Sequence, residues 1–432
     1  MKRFQAAAAT GILFCLVGVI KSDVLIKPNT TNINYSGRFD FSKSADSVTF
    51  NWPGCIIEAN FPGPSIGVDL RDGGAFFDVE IDGVRSDSLP AANPSTATRR
   101  TIKTGLSTDI HTVRIILRTN DQFCSFRGFY IADGKTLAPP PPKPTRKIEF
   151  IGDSWTAGDV IFALPGGSGG ANTFEANLTY ARLTSKAFHA EDHLTAKGGC
   201  GLIKSQGGAA VMATRFPQTL HDRATPLWDF ASWKPDLVSM FLGINDFGIG
   251  GVTDQDFRTA YISLINTVRS KYPNVPIILI GINSDQSGHN ILTNIQAMAP
   301  QLTGITVFSS PITLSNASAL YQHPNRAQHK MISDSLIPVI RRIMDWDTTT
   351  PVGVAAPKAT QRGQFAPGAA MKVTHDRIAL SSRLAGAKEI AAYDCRGRLL
   401  QKIITKKQAV LISRDLGLPP GMYLIKATAQ TR

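Results

Sequence analysis

The spacing of hydrophobic positions changes twice along this chain and divides it into three regions. Between residues 23 and 138, apolar residues alternate with polar ones over short segments, as in strands with one buried face. The clearest segments are 48–52, 77–81 and 113–117, although Ile116 interrupts the alternation in the last of them. Short alternating strands at this spacing predict a β-sandwich or jelly roll over residues 23–138.

From residue 147 the pattern becomes an alternation of apolar strands and amphipathic helices. Apolar runs at 147–151, 237–242 and 277–280 are typical of strands buried on both faces. A helix is predicted over 180–188, and helical spacing recurs from Phe257 onwards. The alternation predicts a three-layer α/β domain over residues 147–346, with a flavodoxin-like parallel sheet between helices.

Two linkers separate the regions. Prolines at 139–142 and at Pro144 can enter neither a helix nor a central strand, so residues 139–146 are predicted to be a stiff linker. A second linker, rich in Ala, Gly, Gln and Pro, is predicted over 347–370. Short β patterns after it, at 390–393, 399–404, 410–413 and 422–427, predict a small β module over 371–432.

The N-terminus has the pattern of a secretory signal, which we assign to residues 1–22. Met1-Lys2-Arg3 supplies a positive start, and residues 6–20 form an apolar stretch of suitable length. No apolar run reaches the roughly 18 residues of a membrane span, which excludes a membrane-embedded transporter or channel. We expect a secreted protein, with attachment to the cell surface as the alternative.

Composition and charge narrow the class of protein further. Of the 432 residues, 43% are hydrophobic and 18% are charged, which is an ordinary globular balance. The net charge of +13 lies mostly after residue 350, where 14 Lys and Arg stand against 4 Asp and Glu. The body of the chain is nearly neutral, which argues against an enzyme acting on nucleic acid.

The cysteines and histidines predict neither a metal site nor a cofactor. No CxxC, HExxH or clustered His and Cys spacing occurs in the chain. Cys55 and Cys124 lie in the same predicted domain, and an exported protein can keep a disulfide between them. Two buried thiols are an equally good interpretation, so the pairing stays open.

Four positions at strand ends or beside a helix carry candidate chemistry, because α/β domains bind ligands there. Ser154 ends a Gly-Asp-Ser turn and can be a nucleophile or only a helix cap. Gly199 lies in a glycine-rich loop that can hold an oxyanion or be an ordinary turn. Asn245 can donate to an oxyanion or form a turn. His323 can be the general base or a surface histidine.

In this order, the four positions resemble the catalytic blocks of the SGNH hydrolases. The chain also resembles carbohydrate esterase family 2, in which a jelly roll precedes such a domain. That resemblance covers roughly residues 36–345. It rests on Trp52-Pro53-Gly54, Val79-Glu80-Ile81-Asp82-Gly83, His111-Thr112-Val113, Phe126-Arg127-Gly128-Phe129 and the proline-rich link into Ser154.

The resemblance implies a secreted serine esterase that removes acetyl groups from plant cell-wall polysaccharides such as acetylated xylan or mannan. It implies that Ser154 is the nucleophile and His323 the general base. The N–H groups of Ser154 and Gly199, with the Asn245 side chain, would form the oxyanion hole. No cofactor is implied, and we expect a monomer.

The position three residues before the histidine departs from the family's pattern. Many SGNH hydrolases carry Asp there, whereas this chain has Leu320, and no carboxylate lies between Pro311 and His323. We therefore predict a Ser–His dyad whose imidazole is held by a backbone carbonyl. A distant acid, Asp153 or Asp256, is the alternative.

The residue directly before the histidine is a second departure. The family often has an aromatic residue there that packs on the sugar, whereas this chain has Gln322. The candidates for that contact are Trp155, Tyr321 and Trp228.

Other interpretations concern the substrate and the tail. The enzyme could act on another acyl substrate, such as a lipid ester or acetylated peptidoglycan, or the chain could be a carbohydrate-binding protein with weak catalysis. Two segments, 393–399 and 418–424, resemble C-terminal sorting modules of secreted bacterial enzymes. That resemblance implies contact with secretion machinery or the cell surface; a solvated charged face is the alternative.

Overall fold

The computed structural model describes residues 23–89 and 98–348, together with the backbone of six strands between Met371 and Ala429. The predicted signal segment 1–22 and most of the predicted linker 347–370 lie outside the described residues. The chain divides into two compact units after Val352, and each is described by itself. Among the described residues, no helix is both long enough and apolar enough to cross a bilayer.

The first part of the first unit is an antiparallel β-sandwich. Its strands are β1 (Asp23–Ile26), β2 (Ile33–Ser36), β3 (Val48–Phe50), β4 (Ile56–Pro62), β5 (Ile66–Arg71), β6 (Phe77–Ile81), β7 (Val84–Leu89), β8 (Thr98–Lys103), β9 (Ile110–Leu117) and β10 (Cys124–Ala132). One sheet has the order β1-β10-β5-β8, with β3 paired to β10, and the other has the order β2-β4-β9-β6-β7. The inner faces of both sheets form one hydrophobic core, as the alternation predicted.

The break in the alternation at Ile116 has a structural reason. Ile116 pairs with Ile56 on one side and with Asp78 on the other, so the three side chains share one face of the sheet. On that face the Asp78 carboxylate accepts a hydrogen bond of 3.2 Å from the side chain of Asn177, which belongs to the following domain. Ile116 is completely buried because this domain covers the outer face of the sandwich.

The second part of the first unit is a three-layer α/β domain. Its strands are β11 (Arg146–Gly152), β12 (Ala190–Ala196), β13 (Leu237–Phe241), β14 (Ile277–Gly281), the hairpin strands β15 (Asp285–Gln286) and β16 (His289–Asn290), and β17 (Ile305–Ser309). Its helices are α1 (Ser154–Ala157), α2 (Tyr180–Ala187), α3 (Met212–Arg215), α4 (Ile244–Ile249), α5 (Asp254–Lys271), α6 (Ile291–Met298) and α7 (Arg326–Met344). Five parallel strands follow the order β12-β11-β13-β14-β17, which confirms the predicted flavodoxin-like sheet. Helix α2 packs with α7, and α5 packs with α6.

Buried polar contacts join the sandwich to the α/β domain. The guanidinium of Arg38 forms an ion pair of 2.8 Å with Glu149, and both side chains are almost completely buried. The indole Nε1 of Trp52 donates to the carbonyl oxygen of Thr219 at 3.0 Å. Breaking a buried pair such as the first leaves a charge without its partner, so these contacts hold the two domains in a fixed relation.

The proline-rich stretch lies against the sandwich. Its backbone carbonyls accept hydrogen bonds from sandwich side chains, since Asn60 Nδ2 donates to Pro139 at 2.8 Å and Asn34 Nδ2 donates to Pro141 at 2.7 Å. Proline itself cannot donate, so acceptor contacts of this kind are the way such a stretch is fixed.

Cys55, Cys124 and Cys200 are free, buried thiols. The Cys124 thiol donates to the carbonyl oxygen of Asp72 at 3.4 Å, and burial raises the pKa of Cys55 to about 12. Of the two interpretations of Cys55 and Cys124, the structure therefore has the pair of thiols and not the disulfide.

The second unit contains two three-stranded antiparallel sheets. One has the order β18-β19-β22 and the other β21-β20-β23. The strands are β18 (Met371–Thr374), β19 (Arg377–Leu380), β20 (Lys388–Tyr393), β21 (Leu399–Thr405), β22 (Ala409–Leu411) and β23 (Leu424–Ala429). The sequence predicted strands at the last four of these positions and missed β18 and β19. The turn segments of the predicted sorting motifs lie outside the described residues.

Candidate active site

Ser154 is the first residue of α1 and follows strand β11, with Asp153 between the strand and the helix. The turn needs glycine at position 152, because a Cβ there would lie 2.1 Å from Thr156 Oγ1 and 3.0 Å from the carbonyl oxygen of Phe241. The carboxylate of Asp153 caps the helix by accepting from the N–H of Trp155 at 3.0 Å. The N–H of Ser154 opens the helix and has no partner within it, so it can bind a ligand oxygen.

His323 lies within hydrogen-bond distance of this serine. Ser154 Oγ is 2.8 Å from Nε2 of the imidazole, and Nδ1 is 3.1 Å and 3.0 Å from the carbonyl oxygens of Leu320 and Tyr321. A carbonyl oxygen only accepts, so Nδ1 carries the hydrogen and Nε2 accepts from the serine hydroxyl. In the part of the chain that the structure describes, no carboxylate forms an ion pair with His323.

An unusual turn brings the two carbonyl groups to the imidazole. Tyr321 and Gln322 have φ angles of 55° and 57°, the left-handed region that non-glycine residues rarely adopt. The turn is fixed by the N–H of Ala319, which donates to the carbonyl oxygen of His323 at 2.8 Å. The N–H of Leu320 donates to the carbonyl oxygen of Ala163 at 3.1 Å. The surrounding hydrogen bonds hold a strained backbone that orients the ring.

The two acids considered as distant partners of the imidazole serve helix termini instead. Asp153 caps α1 as described, and its burial raises its pKa to about 8. Asp256 lies in the first turn of α5, where its carboxylate accepts from the hydroxyl of Thr253 at 2.7 Å. The structure therefore places backbone carbonyl groups, and neither of these carboxylates, against Nδ1 of His323.

Burial sets the protonation state of His323. Loss of solvent lowers the pKa of the imidazole below its ordinary value of 6.5, and this outweighs the opposite effect of the hydrogen bonds to Leu320 and Tyr321. The imidazole is neutral at neutral pH and can accept a proton there.

Gly199 and Asn245 follow β12 and β13, which pair with β11 on its two sides up to its last residue, so their N–H groups lie at the same edge of the sheet as Ser154. Gly199 has a φ angle of 72°, and a Cβ on it would lie 2.9 Å from Cβ of Gln206. Its N–H is used by no hydrogen bond among the described residues. One hydrogen of the Asn245 amide is donated to the carbonyl oxygen of Cys200 at 2.9 Å, which orients the group and leaves its second hydrogen for a ligand.

Asp246 is a part of the site that the sequence analysis missed. Its carboxylate accepts hydrogen bonds from the N–H groups of Leu202, Ile203 and Lys204, the last two at 2.7 Å and 3.0 Å. It thereby fixes the loop that follows Gly199. The available signal was the aspartate directly after Asn245 at the end of an apolar strand, and the pattern assigned it no role beyond turn formation.

The three aromatic candidates for sugar contact lie in different environments. Trp155 is 1% exposed and packs edge-on against Phe241 in the core, so its ring is not accessible to a sugar. Trp228 is half-buried, with the guanidinium of Arg38 over its ring. Tyr321 is 72% exposed in the turn that holds His323. The structure therefore places Tyr321, and not Trp155, where a substrate can reach it.

Two family models match the chain, and two curated relatives resemble most of it. The model described as carbohydrate esterase 2 N-terminal matches residues 35–141, and that of the GDSL-like lipase/acylhydrolase family matches residues 150–338. A cellulase/esterase of Acetivibrio thermocellus is 30% identical over 334 residues, which are 73% of this chain and 40% of the relative. An acetylxylan esterase / glucomannan deacetylase of Cellvibrio japonicus is 27% identical over 340 residues, 76% of this chain and 93% of that relative. The chain thus spans 40% of the first relative's length and most of the second's.

Solved structures extend the likeness to the arrangement of both domains. A family two carbohydrate esterase from Clostridium thermocellum, in complex with cellohexaose, has a TM-score of 0.67 at 27% identity and covers 73% of this chain and 99% of its own. A family two carbohydrate esterase from Cellvibrio japonicus has a TM-score of 0.68 at 26% identity, and the match covers 76% of this chain and 99% of that structure's chain. Over both of its first two domains, the chain is similar to family 2 carbohydrate esterases. Neither family model extends past residue 338, so the role of the C-terminal module stays a prediction.

Proposed function

We propose that this protein is a secreted esterase that removes O-acetyl groups from plant cell-wall polysaccharides such as acetylated xylan or mannan. The proposal is carried by the 2.8 Å contact between Ser154 Oγ and His323 Nε2, with Nδ1 of the same imidazole held by two carbonyl groups. The printed name of the Cellvibrio japonicus relative, acetylxylan esterase / glucomannan deacetylase, supports the choice of substrate.

The first half of the reaction forms an acetyl-enzyme. Ser154 Oγ attacks the acetyl carbonyl carbon while Nε2 of His323 takes the hydroxyl proton. The oxyanion that forms accepts hydrogen bonds from the N–H groups of Ser154 and Gly199 and from the free amide hydrogen of Asn245. When the intermediate collapses, the C–O bond to the sugar breaks, and the sugar oxygen takes the proton back from His323.

The second half returns the free enzyme. A water molecule attacks the acetyl-Ser154 carbonyl and gives a proton to Nε2 of His323. The same three donors hold the second oxyanion. Acetate leaves as Ser154 Oγ recovers the proton, so the dyad ends in its starting state. The two carbonyl groups on Nδ1 keep the ring in one tautomer through both halves.

A polar cavity beside the oxyanion donors favours a hydrophilic substrate. The cavity has a volume of about 280 Å³, and Gly199 and Cys200 line it together with Lys197, Gln206 and Arg215. Hydroxyl-rich rings form hydrogen bonds with side chains of this kind, whereas a long acyl chain forms none with them.

An esterase for longer acyl groups is the second candidate function, favoured by one observation. An apolar cavity of about 710 Å³ lies between the loop after α1 and the N-terminal turn of α7. Phe162 and Leu164 in its lining are 43% and 76% exposed, which is unusual for such large apolar side chains.

Acetate release distinguishes these functions. We expect the protein to release acetate from acetylated xylan or glucomannan and Ser154→Ala to release none. A series of 4-nitrophenyl esters of increasing acyl length should show the highest kcat/KM for acetate. A maximum at a longer chain would replace the proposal by the second candidate. Binding of xylan by a folded wild type that hydrolyses no ester would identify a carbohydrate-binding protein instead.

The pH dependence of kcat/KM follows from the lowered pKa of His323. Only the neutral imidazole accepts the serine proton, so activity is present above this pKa and is lost as the pH falls through it. We expect the midpoint of the acidic limb below 6.5, the ordinary value of histidine. Acetate should be measured directly, because 4-nitrophenol itself titrates near neutrality. A midpoint above the ordinary value would contradict the environment described for this imidazole.

The proposal includes export and a sorting role for the C-terminal module. Export rests on the charged start Met1-Lys2-Arg3 and the apolar stretch 6–20, and sorting rests on the two motif segments of the tail. Expression in a Gram-negative host should yield protein in the periplasm or medium whose sequenced N-terminus lies near Ser22. Protein that keeps Met1 and stays in the cytosol would contradict export.

A further inference from the structure

The β-sandwich contributes a side chain to the immediate surroundings of the oxyanion donors. Asn120, which follows β9, is completely buried, and its side-chain oxygen accepts a hydrogen bond of 3.1 Å from the N–H of Gly198. The same oxygen accepts from Nζ of Lys197 at 3.3 Å. The amide nitrogen of Asn120 donates to the carboxylate of Asp159. The side chain thus uses both its acceptor and its donor on the α/β domain.

Two of the three partners of Asn120, Gly198 and Asp159, belong to the two segments that supply the backbone donors. Gly198 directly precedes Gly199 in the oxyanion loop. Asp159 follows α1, and its N–H donates to the carbonyl oxygen of Ser154 at 3.1 Å. The segments are in close contact here, because a Cβ on Gly198 would lie 2.1 Å from a carboxylate oxygen of Asp159. Asn120 is therefore a bridge between the serine turn and the oxyanion loop.

We propose that Asn120 is a positioning residue that sets the distance between the N–H groups of Ser154 and Gly199. The inference rests on the proposed function, since it concerns the oxyanion of that reaction. Donors stabilise an oxyanion only when they are held close to their productive geometry, within roughly 0.5 Å. The sandwich is then a structural part of the active site, and not solely an attached module.

The test compares Asn120→Ala and Asn120→Leu with a matched control in the same interface. Leucine has the same number of side-chain heavy atoms as asparagine and the same branch at Cγ, but forms no hydrogen bonds, so agreement between the two variants assigns the effect to those bonds. Asn51 is the control, because it is also a completely buried sandwich residue whose Oδ1 accepts from a backbone N–H of the α/β domain, that of His221, at 3.1 Å. Asn51→Ala removes an equivalent bond away from the oxyanion loop.

We expect kcat to fall on the order of 10-fold to 100-fold in both Asn120 variants, with little change in KM. This loss is smaller than that for removing a whole oxyanion donor, because the donor is displaced and not lost. A boronic acid that bonds to Ser154 and places its hydroxyl in the oxyanion hole should bind more weakly by a similar factor. Asn51→Ala should lower the thermal midpoint as much as Asn120→Ala and leave kcat and boronate affinity unchanged.

Wild-type kcat and boronate affinity in either folded Asn120 variant would overturn the inference, and so would an equal loss in Asn51→Ala. Failure of the proposed function has a different signature. A wild type that prefers another ester changes the substrate and leaves Asn120 testable on that ester. Activity that survives in Ser154→Ala would show that Ser154 is not the nucleophile, whatever the Asn120 variants do.

Discussion

Removing Ser154 and His323 together is expected to lower kcat by about as much as removing either residue alone. Each single substitution by alanine should cost on the order of 10⁴–10⁶ in kcat, because a serine hydroxyl without its base is a weak nucleophile and a base without its serine has nothing to activate. The 2.8 Å contact between Oγ and Nε2 makes the two side chains one reacting unit. The oxyanion donors and the bound substrate supply the residual rate in all three variants.

This expectation is measured by acetate release from Ser154→Ala, His323→Ala and the double variant under identical conditions. Ser185→Ala is the control, since Ser185 is also a buried serine whose hydroxyl donates to a carbonyl oxygen, that of Ala181, at 3.2 Å within α2. It should keep the wild-type kcat. Losses that multiply in the double variant would show that the residues act independently, and then the dyad would be wrong.

The fold could be predicted because its two periodicities are physically distinct. Strands buried on both faces appear in a sequence as continuous apolar runs. The strands predicted at 147–151 and 277–280 have bounds within one residue of those of β11 and β14. The inconsistency at Ile116 was visible but not interpretable, since a sequence does not show that a second domain covers the outer face of the sandwich. Strands β18 and β19 were missed.

The site could be predicted as far as it follows the ends of successive strands. Ser154, Gly199 and Asn245 come together because parallel strands present their carboxyl ends at one edge of the sheet. The absence of a nearby acid predicted a carbonyl group against His323. That two carbonyl groups reach the ring was not predictable, because the left-handed turn at Tyr321 involves residue types that rarely adopt this conformation.

Asn120 and Asp246 were not predictable for another reason. Each acts through hydrogen bonds to the backbone of a segment far away in sequence, since Asn120 binds Gly198 and Asp246 binds Leu202 and its neighbours. Such contacts depend on the packing of whole domains and leave no local pattern of spacing. An asparagine or aspartate in a loop is read from sequence as turn chemistry, which is what these residue types most often supply.

Replacing Asn245 by alanine is expected to lower kcat by on the order of 10²–10³ while KM changes little. The amide hydrogen that is not donated to Cys200 is the one available to the oxyanion, and this bond strengthens as negative charge develops on the substrate oxygen. The same substitution leaves the carbonyl oxygen of Cys200 without its 2.9 Å donor, at a cost of about 1 kcal/mol in the free energy of unfolding. The effect on catalysis should therefore exceed the effect on stability.

Two further variants separate these effects when kcat, KM and the thermal midpoint are measured side by side. Asn245→Asp keeps the shape of the side chain but turns a donor into an anion that repels the oxyanion, so its loss in kcat should be at least as large. Asn294→Ala removes another buried amide, which donates to the carbonyl oxygen of Asn290 at 3.0 Å in α6, and should reduce stability without lowering kcat. If Asn245→Ala keeps the wild-type kcat, the oxyanion is held by the N–H groups of Ser154 and Gly199 alone. The amide of Asn245 would then serve only to fix the loop at Cys200.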